Sequence, residues 1–310
     1  MQIIKHDINI DFVGKRKLAM ILSGVLILIG LISMAANGGP KYGIDFVGGT
    51  LVQVKFTENT DPAKIKDSLA SLDLGSVVIQ SFGDDPNEFL IRVQVTDKDK
   101  NLSGKISGNL NMVYGEGMVD IRRMEMVGPQ VGKDLRQKGL LSIVYAMIGI
   151  LIYISWRFEL RFAIGAIVAL VHDVLITLGA FSITGREIDL PIIAAFLAII
   201  GYSLNDTIIV YDRIRENYGK HKKKGFSEVV NRSINETLSR TILTSGTTLL
   251  VVMALFIFGG GVIHNFAFAM LVGILIGTYS SIFVASPVLI FWDDYRSGGQ
   301  KKVAVEGSAQ

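Results

Sequence analysis

LPIIAAFLAIIGYSLNDTIIVYDRIR, residues 190–215, decides the fold. It is an apolar run that carries Asp206 well inside its hydrophobic length and ends in a basic collar at Arg213 and Arg215. Pro191 to Tyr211 makes about 30 Å of helix at ~1.5 Å per residue, the hydrocarbon thickness of a bilayer. Asp206 then sits about 7 Å above the collar. A carboxylate at that depth costs on the order of 3 kcal/mol even on the lenient insertion scale, so it is expected to have a partner or a proton-handling role.

The rest of the chain agrees with a membrane setting. Half of its 310 residues are hydrophobic, its mean hydropathy is +0.44, and several runs approach span length without a charge. The net charge of +3 is small and the basic residues gather near span ends, so they read as topology signals and no nucleic-acid partner is expected. Cysteine is absent, which excludes disulfides, thiolate metal sites and cysteine nucleophiles. His6, His172, His221 and His264 are scattered, so no metal and no cofactor is expected.

Residues 1–17 are polar with a basic end and are expected in the cytoplasm. The apolar run 18–36 is too long for a cleavable signal's core, normally about 7–15 residues, and reads as a retained first span. Residues 37–138 are expected as an extracytoplasmic domain. There Val52, Val54 and Phe56 alternate as a strand, and Ile65, Leu69 and Leu72 follow helical spacing after the cap Asp61-Pro62. Ser76 to Phe82 reads as a strand, residues 83–87 as a hairpin loop, and Phe89, Ile91, Val93 and Val95 as the next strand. Leu102, Ile106, Leu110 and Val113 share a helical face, and Met118 to Met126 gives a last strand. The order β-α-β-β-α-β is that of a ferredoxin-like α+β unit.

Five further spans are expected within 139–292, with a basic cytoplasmic loop at 212–240 and a cytoplasmic tail at 293–310. The loop holds Arg213, Arg215, Lys220, Lys222, Lys223, Lys224, Arg232 and Arg240, whereas the turn from Gly259 to Asn265 holds no Lys or Arg. By the positive-inside rule the loop and both termini face the cytoplasm and the domain faces outward. Phe226, Val230, Ile234 and Leu238 repeat as an amphipathic helix expected to lie on the membrane or on a partner.

Asp206 and Arg240 are the leading candidates for chemistry, as a proton site whose ionised form a snorkelling guanidinium holds; a fixed ion pair is the structural alternative. Asn205, Thr207, Thr244, Ser245, Thr247 and Thr248 could hold water beside them. Asp173 lies midway along the third span as a relay or an interhelical hydrogen-bond acceptor; His172, about 100° away around the helix, need not touch it. Ala269, Gly273, Gly277, Ser281 and Ala285 form a small-residue stripe that suits helix packing, and Ser286-Pro287 is expected to kink that helix. Tyr42 to Thr50, with Gly43, Asp45, Gly48 and Gly49, reads as a Gly-rich turn before a strand and carries no nucleotide.

Taken together, YGIDFVGGT at 42–50, GYSLNDTIIVYDRIRE at 201–216 with Gly201 and Tyr202 at its head, LSRTILTSGTT at 238–248 and GTYSSIFVASP at 277–287 resemble motifs of the SecF side of the SecD/SecF protein-export family. Residues 127–132 and 169–173 fit as well, so the resemblance spans nearly the whole chain. It implies six spans that pair with SecD in a twelve-span bundle of the resistance-nodulation-division type. It also implies proton-driven assistance to preproteins at the SecYEG channel, with YajC as a further partner. The residues matching Asp206 and Arg240 then belong to the proton path, together with an acid of SecD. Other readings are a small-molecule or lipid exporter half, an intramembrane aspartyl protease using Asp173 and Asp206, and a purely structural scaffold.

Overall fold

The computed structural model describes residues 9–72, 74, 77–82, 85–93, 102–221 and 224–295. Val95, Lys222, Lys223, residues 83–84, residues 1–8 and residues 296–310 lie outside them. Helix α1 spans Arg16–Ala36, followed by a single turn α2 at Ile44–Val47. The α+β domain then runs β1 (Gly49–Phe56), α3 (Pro62–Leu69), β2 (Val77–Ser81), β3 (Glu88–Val93), α4 (Leu102–Tyr114) and β4 (Val119–Val127). The remaining helices are α5 (Pro129–Arg157), α6 (Leu160–Thr184), α7 (Leu190–Lys220), α8 (Phe226–Phe258) and α9 (Gly260–Ser280), the last continuing through a π turn at Ser281–Ala285 and on to Tyr295. Six of the helices are long and apolar enough to cross a membrane.

In the α+β domain the alternation of apolar residues settles which sheet face is inside. Val52, Val54 and Phe56 of β1 and Phe89, Ile91 and Val93 of β3 are buried against Ile65 and Leu69 of α3 and Ile106 and Leu110 of α4. The sheet is antiparallel in the order β2-β3-β1-β4, the interleaving that two βαβ crossovers produce in a ferredoxin-like fold. Asp61 caps α3 by accepting from the Lys64 amide at 2.8 Å, with Pro62 at the first helical position. Val113, expected on the inward face of α4, is exposed.

The glycine pair joins this domain to the bundle. Gly48 and Gly49 have φ of 83° and 149°, a conformation side chains rarely adopt, and a Cβ on Gly48 would lie 2.8 Å from the Cα of Pro129. Strand β1 therefore starts directly against the first turn of α5.

Within the bundle α6 is the most enclosed helix, with α1 crossing it at Gly30 and Gly179. Ser33 and Ser182 share a hydrogen bond of 2.9 Å at the same crossing. Helix α9 lies on α7 in the same way: a Cβ on Gly273 would meet the Ile199 side chain at 2.4 Å, and one on Gly277 would meet Ser203 at 2.9 Å. The π turn directly precedes Ser286-Pro287, where proline cannot donate to the helix ladder. Tyr211 donates to the Ala285 carbonyl at 3.0 Å, and Ser286 donates to Ser281 at 2.9 Å.

The stretch 212–240 is not an open loop. Its described residues are helical except at His221, Lys224 and Gly225, because α7 and α8 continue past the bilayer-length segment as a paired hairpin. At ~1.5 Å per residue these helices are about 46 and about 50 Å long. Their extensions are laced by Lys220–Glu216 at 2.6 Å, Arg232–Glu236 at 2.8 Å and Arg213–Glu236 at 2.5 Å. The apolar face at Val230, Ile234 and Leu238 packs on Val210 and Ile214 of the same chain and on Val13, rather than lying on a membrane. Asn231 and Asn235 accept from the amides of Phe12, Val13 and Ile10, which fixes the N-terminal segment beside the hairpin.

Overpacking costs about 1–3 kcal/mol where neighbours cannot yield. Gly179→Leu should therefore lower the thermal unfolding temperature of the purified protein by several degrees. Gly24→Leu on α1, where a Cβ meets nothing within 4 Å, should leave it unchanged.

Candidate functional site

The centre of the bundle holds two buried carboxylates on neighbouring helices, each surrounded by hydroxyls. Asp206 on α7 is 1% exposed. Its Oδ2 accepts from Ser245 of α8 at 3.2 Å, and Ser245 lies 2.7 Å from Thr278 of α9. Among the described residues its Oδ1 has no hydrogen-bond partner, and the buried hydroxyl of Thr241, one turn from Ser245 on α8, has none either. The same face of α8 thus offers one donor that is used and one that is not.

Asp173 on α6 is also 1% exposed and is better supplied. Its Oδ2 accepts from Ser203 of α7 at 2.5 Å and from Ser280 of α9 at 2.8 Å. Its Oδ1 lies 2.8 Å from Nδ1 of His172, so these sequence neighbours do touch. Ser203 precedes Asp206 by less than one turn on α7, which sets the two acids on consecutive turns of the same polar seam. No hydrogen bond joins the two carboxyl groups among the described residues.

Arg240 stands on the exposed side of α8. It is in electrostatic reach of Asp206, yet among the described residues no ion pair of 4.0 Å or less joins the two. Its side chain lines a cavity of about 520 Å³ at the hairpin end, with Thr237, Glu236, Arg213, Asp212 and Arg157. Asn205 is exposed, and Thr244 spends its hydroxyl on the carbonyls of Arg240 and Thr241, both at 3.0 Å. Neither contacts Asp206 by a hydrogen bond. Gly201 is exposed on α7, and Tyr202 donates to Thr248 of α8 at 3.2 Å.

At the soluble-domain end, Asp45 of the Gly-rich turn reaches α7. Its Oδ2 accepts from the Leu190 amide at 2.9 Å, while Asp189 caps the same helix by accepting from Ile192 at 3.2 Å. The Gly43 amide donates to the Ile188 carbonyl at 2.8 Å, and Arg92 of β3 pairs with Glu187. Gly43, Asp45, Arg92, Glu187, Asp189 and Leu190 line a cavity of about 290 Å³ between the open face of the sheet and the start of α7. Burial pushes Asp189 up to about 6 and the Asp45 carboxylate adds to this, against the pull of the Ile192 amide.

Sequence reasoning missed Ser23, Ser203, Tyr279 and Ser280 as members of the polar seam, and Asp45 as a cap of α7. Lone hydroxyls in apolar runs are common, and only their arrival on one seam distinguishes them. Asp45 precedes α7 by more than a hundred residues, so no local spacing reveals the contact.

These features define a polytopic α-helical membrane protein in which a ferredoxin-like domain stands on a six-helix bundle with a polar centre. The sequence profile of the protein export membrane protein SecD/SecF C-terminal family matches residues 109–295, and that of the SecD/SecF GG motif matches residues 32–60. The chain belongs to the SecD/SecF protein-export family, as a SecF-type member. It is 50% identical to protein translocase subunit SecF of Magnetococcus marinus, over 99% of this chain and 98% of that one. It is 44% identical to the same subunit of Vibrio alginolyticus, over 93% and 91%. The crystal structure of SecDF, a translocon-associated membrane protein from Thermus thermophilus, superposes with a TM-score of 0.83 at 35% identity. That match covers 94% of this chain, which spans about 40% of the longer SecDF chain.

The folded state holds the Asp189 proton more tightly than an open chain does. Its stabilising contribution is therefore full below the ordinary value of 3.8 and is lost as pH rises through about 6. Thermal unfolding temperatures measured across that window should fall with rising pH, and Asp189→Asn should flatten the fall.

Proposed function

We propose that this chain works as the SecF-type subunit of a proton-driven machine that assists protein translocation, with Asp206 as its proton-carrying group. The observation that carries the reading is the buried Asp206 carboxylate with, among the described residues, one hydroxyl donor and one unpartnered oxygen. A group left in that state is served differently when it bears a proton and when it does not. Arg240, beside the cavity at the hairpin end, is suited to act on the ionised form from a distance, with water in between. Asp173 provides a second acid on the same seam. Asn205 and Thr244 are then lining groups rather than direct partners.

The direction follows from charge. Basic residues crowd the α7–α8 hairpin, and the N-terminal segment is fastened to it by Asn231 and Asn235, so both belong on the cytoplasmic side. The ferredoxin-like domain then faces the opposite, extracytoplasmic side. Opposite ends of α7 thus meet the proton source and the domain that acts on the moving chain.

A second subunit is also implied. Only 11% of the α5 span and 17% of the α8 span is covered within this chain, and Gly201 and Asn205 of α7 are exposed at bilayer depth. Polar surface there calls for protein cover. SecD, with spans of its own and an intramembrane acid, fits that role, and SecYEG, YajC and the preprotein are the further partners of the assembly. The work is conformational, not covalent catalysis. A proton crossing 100 mV supplies about 2.3 kcal/mol, enough to bias the movement of an extended chain but not to unfold a stable domain.

Asp206→Asn should abolish the export stimulation seen with a membrane potential present, while the complex with the partner subunit still purifies intact. Normal stimulation by that variant would reject the reading.

A further inference from the structure

His172 is buried, and both of its ring nitrogens are engaged. Nδ1 lies 2.8 Å from Asp173 Oδ1, and Nε2 lies 3.0 Å from the Ser23 hydroxyl of α1. Ser23 lies 3.1 Å from the Tyr279 hydroxyl of α9, and Tyr279 donates to the Ala19 carbonyl of α1 at 2.6 Å. The imidazole also stacks on the Tyr279 ring, with centroids 6.1 Å apart. The line therefore runs Asp173, His172, Ser23, Tyr279, Ala19, and each link needs its own hydrogen.

With Asp173 ionised and His172 neutral, the hydrogens fall one short of the links: the imidazole, Ser23 and Tyr279 bring one each. Suppose the imidazole donates to Asp173 and Ser23 donates to Nε2. Tyr279 can then serve either Ser23 or the Ala19 carbonyl, and the other link is two oxygens facing each other without a hydrogen. One added proton closes the line. An imidazolium donates from both nitrogens, Ser23 donates to Tyr279, and Tyr279 donates to Ala19. A protonated Asp173 donating to Nδ1, with Nε2–H donating to Ser23, gives the same total.

We infer that His172 and Asp173 together hold one proton more than a neutral imidazole beside a carboxylate, forming a second proton-binding site in the bundle, and that this added proton links α6 to α1 and α9. The inference builds on the proton-driven reading above, although its geometry stands apart from Asp206. The titratable groups facing the pair are Tyr279 from α9 and, one turn along α7, Asp206. Helix α1 presents Ser23, and α5 packs near α6 with the apolar Ile143, Ile150 and Ile154. Removal of the proton takes one hydrogen bond out of the line at its α1 end. Because α1 leads through residues 37–41 into the Gly-rich turn and β1, occupancy of this site is conveyed to the helix that precedes the soluble domain.

The test is solid-state NMR of the full complex in lipid, with ¹⁵N-labelled histidine at neutral pH. His172 is assigned by the signal lost in His172→Gln. Should that variant fold poorly, a His6→Gln, His221→Gln, His264→Gln chain leaves His172 as its sole histidine. The expected spectrum has a protonated Nε2, either with a protonated Nδ1 or with an Nδ1 that accepts from Asp173. A His172 with protonated Nδ1 and bare Nε2 would overturn the inference, since the pair would then hold no added proton. Export is not part of this readout, so failure of the Asp206 reading and failure of this one are separately visible.

Discussion

A carboxylate carried into hydrocarbon has no water to turn to, and its donors must come from neighbouring helices. This requirement organises the bundle. Asp173 and Asp206 draw on Ser203, Ser245, Thr278 and Ser280, which sit on α7, α8 and α9. For those short hydroxyl side chains to reach, the backbones must run close together, and Gly273 and Gly277 permit that approach between α9 and α7. The small-residue stripe and the acids are thus parts of one arrangement. The glycines bring α9 onto α7, and from that pair Ser203 and Ser280 both reach Asp173 of α6.

The same economy holds at the soluble-domain end. Asp45 lies in a turn that looks like a mere connection, yet its carboxylate completes the start of α7, and its neighbour Gly48 admits the first turn of α5. The domain therefore rests on the N-termini of two long helices instead of hanging from a flexible tether. Arg92 and Glu187 add a charged contact between the sheet and the α6–α7 turn.

Much of this was legible in the sequence where the signal is periodic. Alternation in β1 and β3, the cap at Asp61 and the span-length apolar runs all depend on residues close in the chain, and the ferredoxin-like order and six spans follow from them. The acids stood out because charge in an apolar run is costly. What was not legible depends on contact across the bundle. Arg240 opens the apolar part of α8 at a height that suits Asp206, but it is turned toward the cavity at the hairpin end, and spacing along one helix does not reveal that rotation. Thr244 satisfies its own helix backbone, as threonines in helices readily do. The amphipathic face within 212–240 was visible in the spacing, but that α7 of the same chain covers it was not, since its partners Val210 and Ile214 lie on another helix.

The π turn in the last helix has a consequence for phase. Residues at strict four-residue spacing drift around a straight α-helix by about 40° per step. Over Ala269, Gly273, Gly277, Ser281 and Ala285 that drift would carry the far end of the stripe well away from the side on which it began. The wider turn at Ser281–Ala285 winds more slowly, so it takes up part of the rotation, and all five residues remain buried. An irregularity that costs a regular backbone bond, with the Ala285 carbonyl turned to Tyr211, thereby works as a gear correction that keeps one helix in mesh with its neighbours along its whole length.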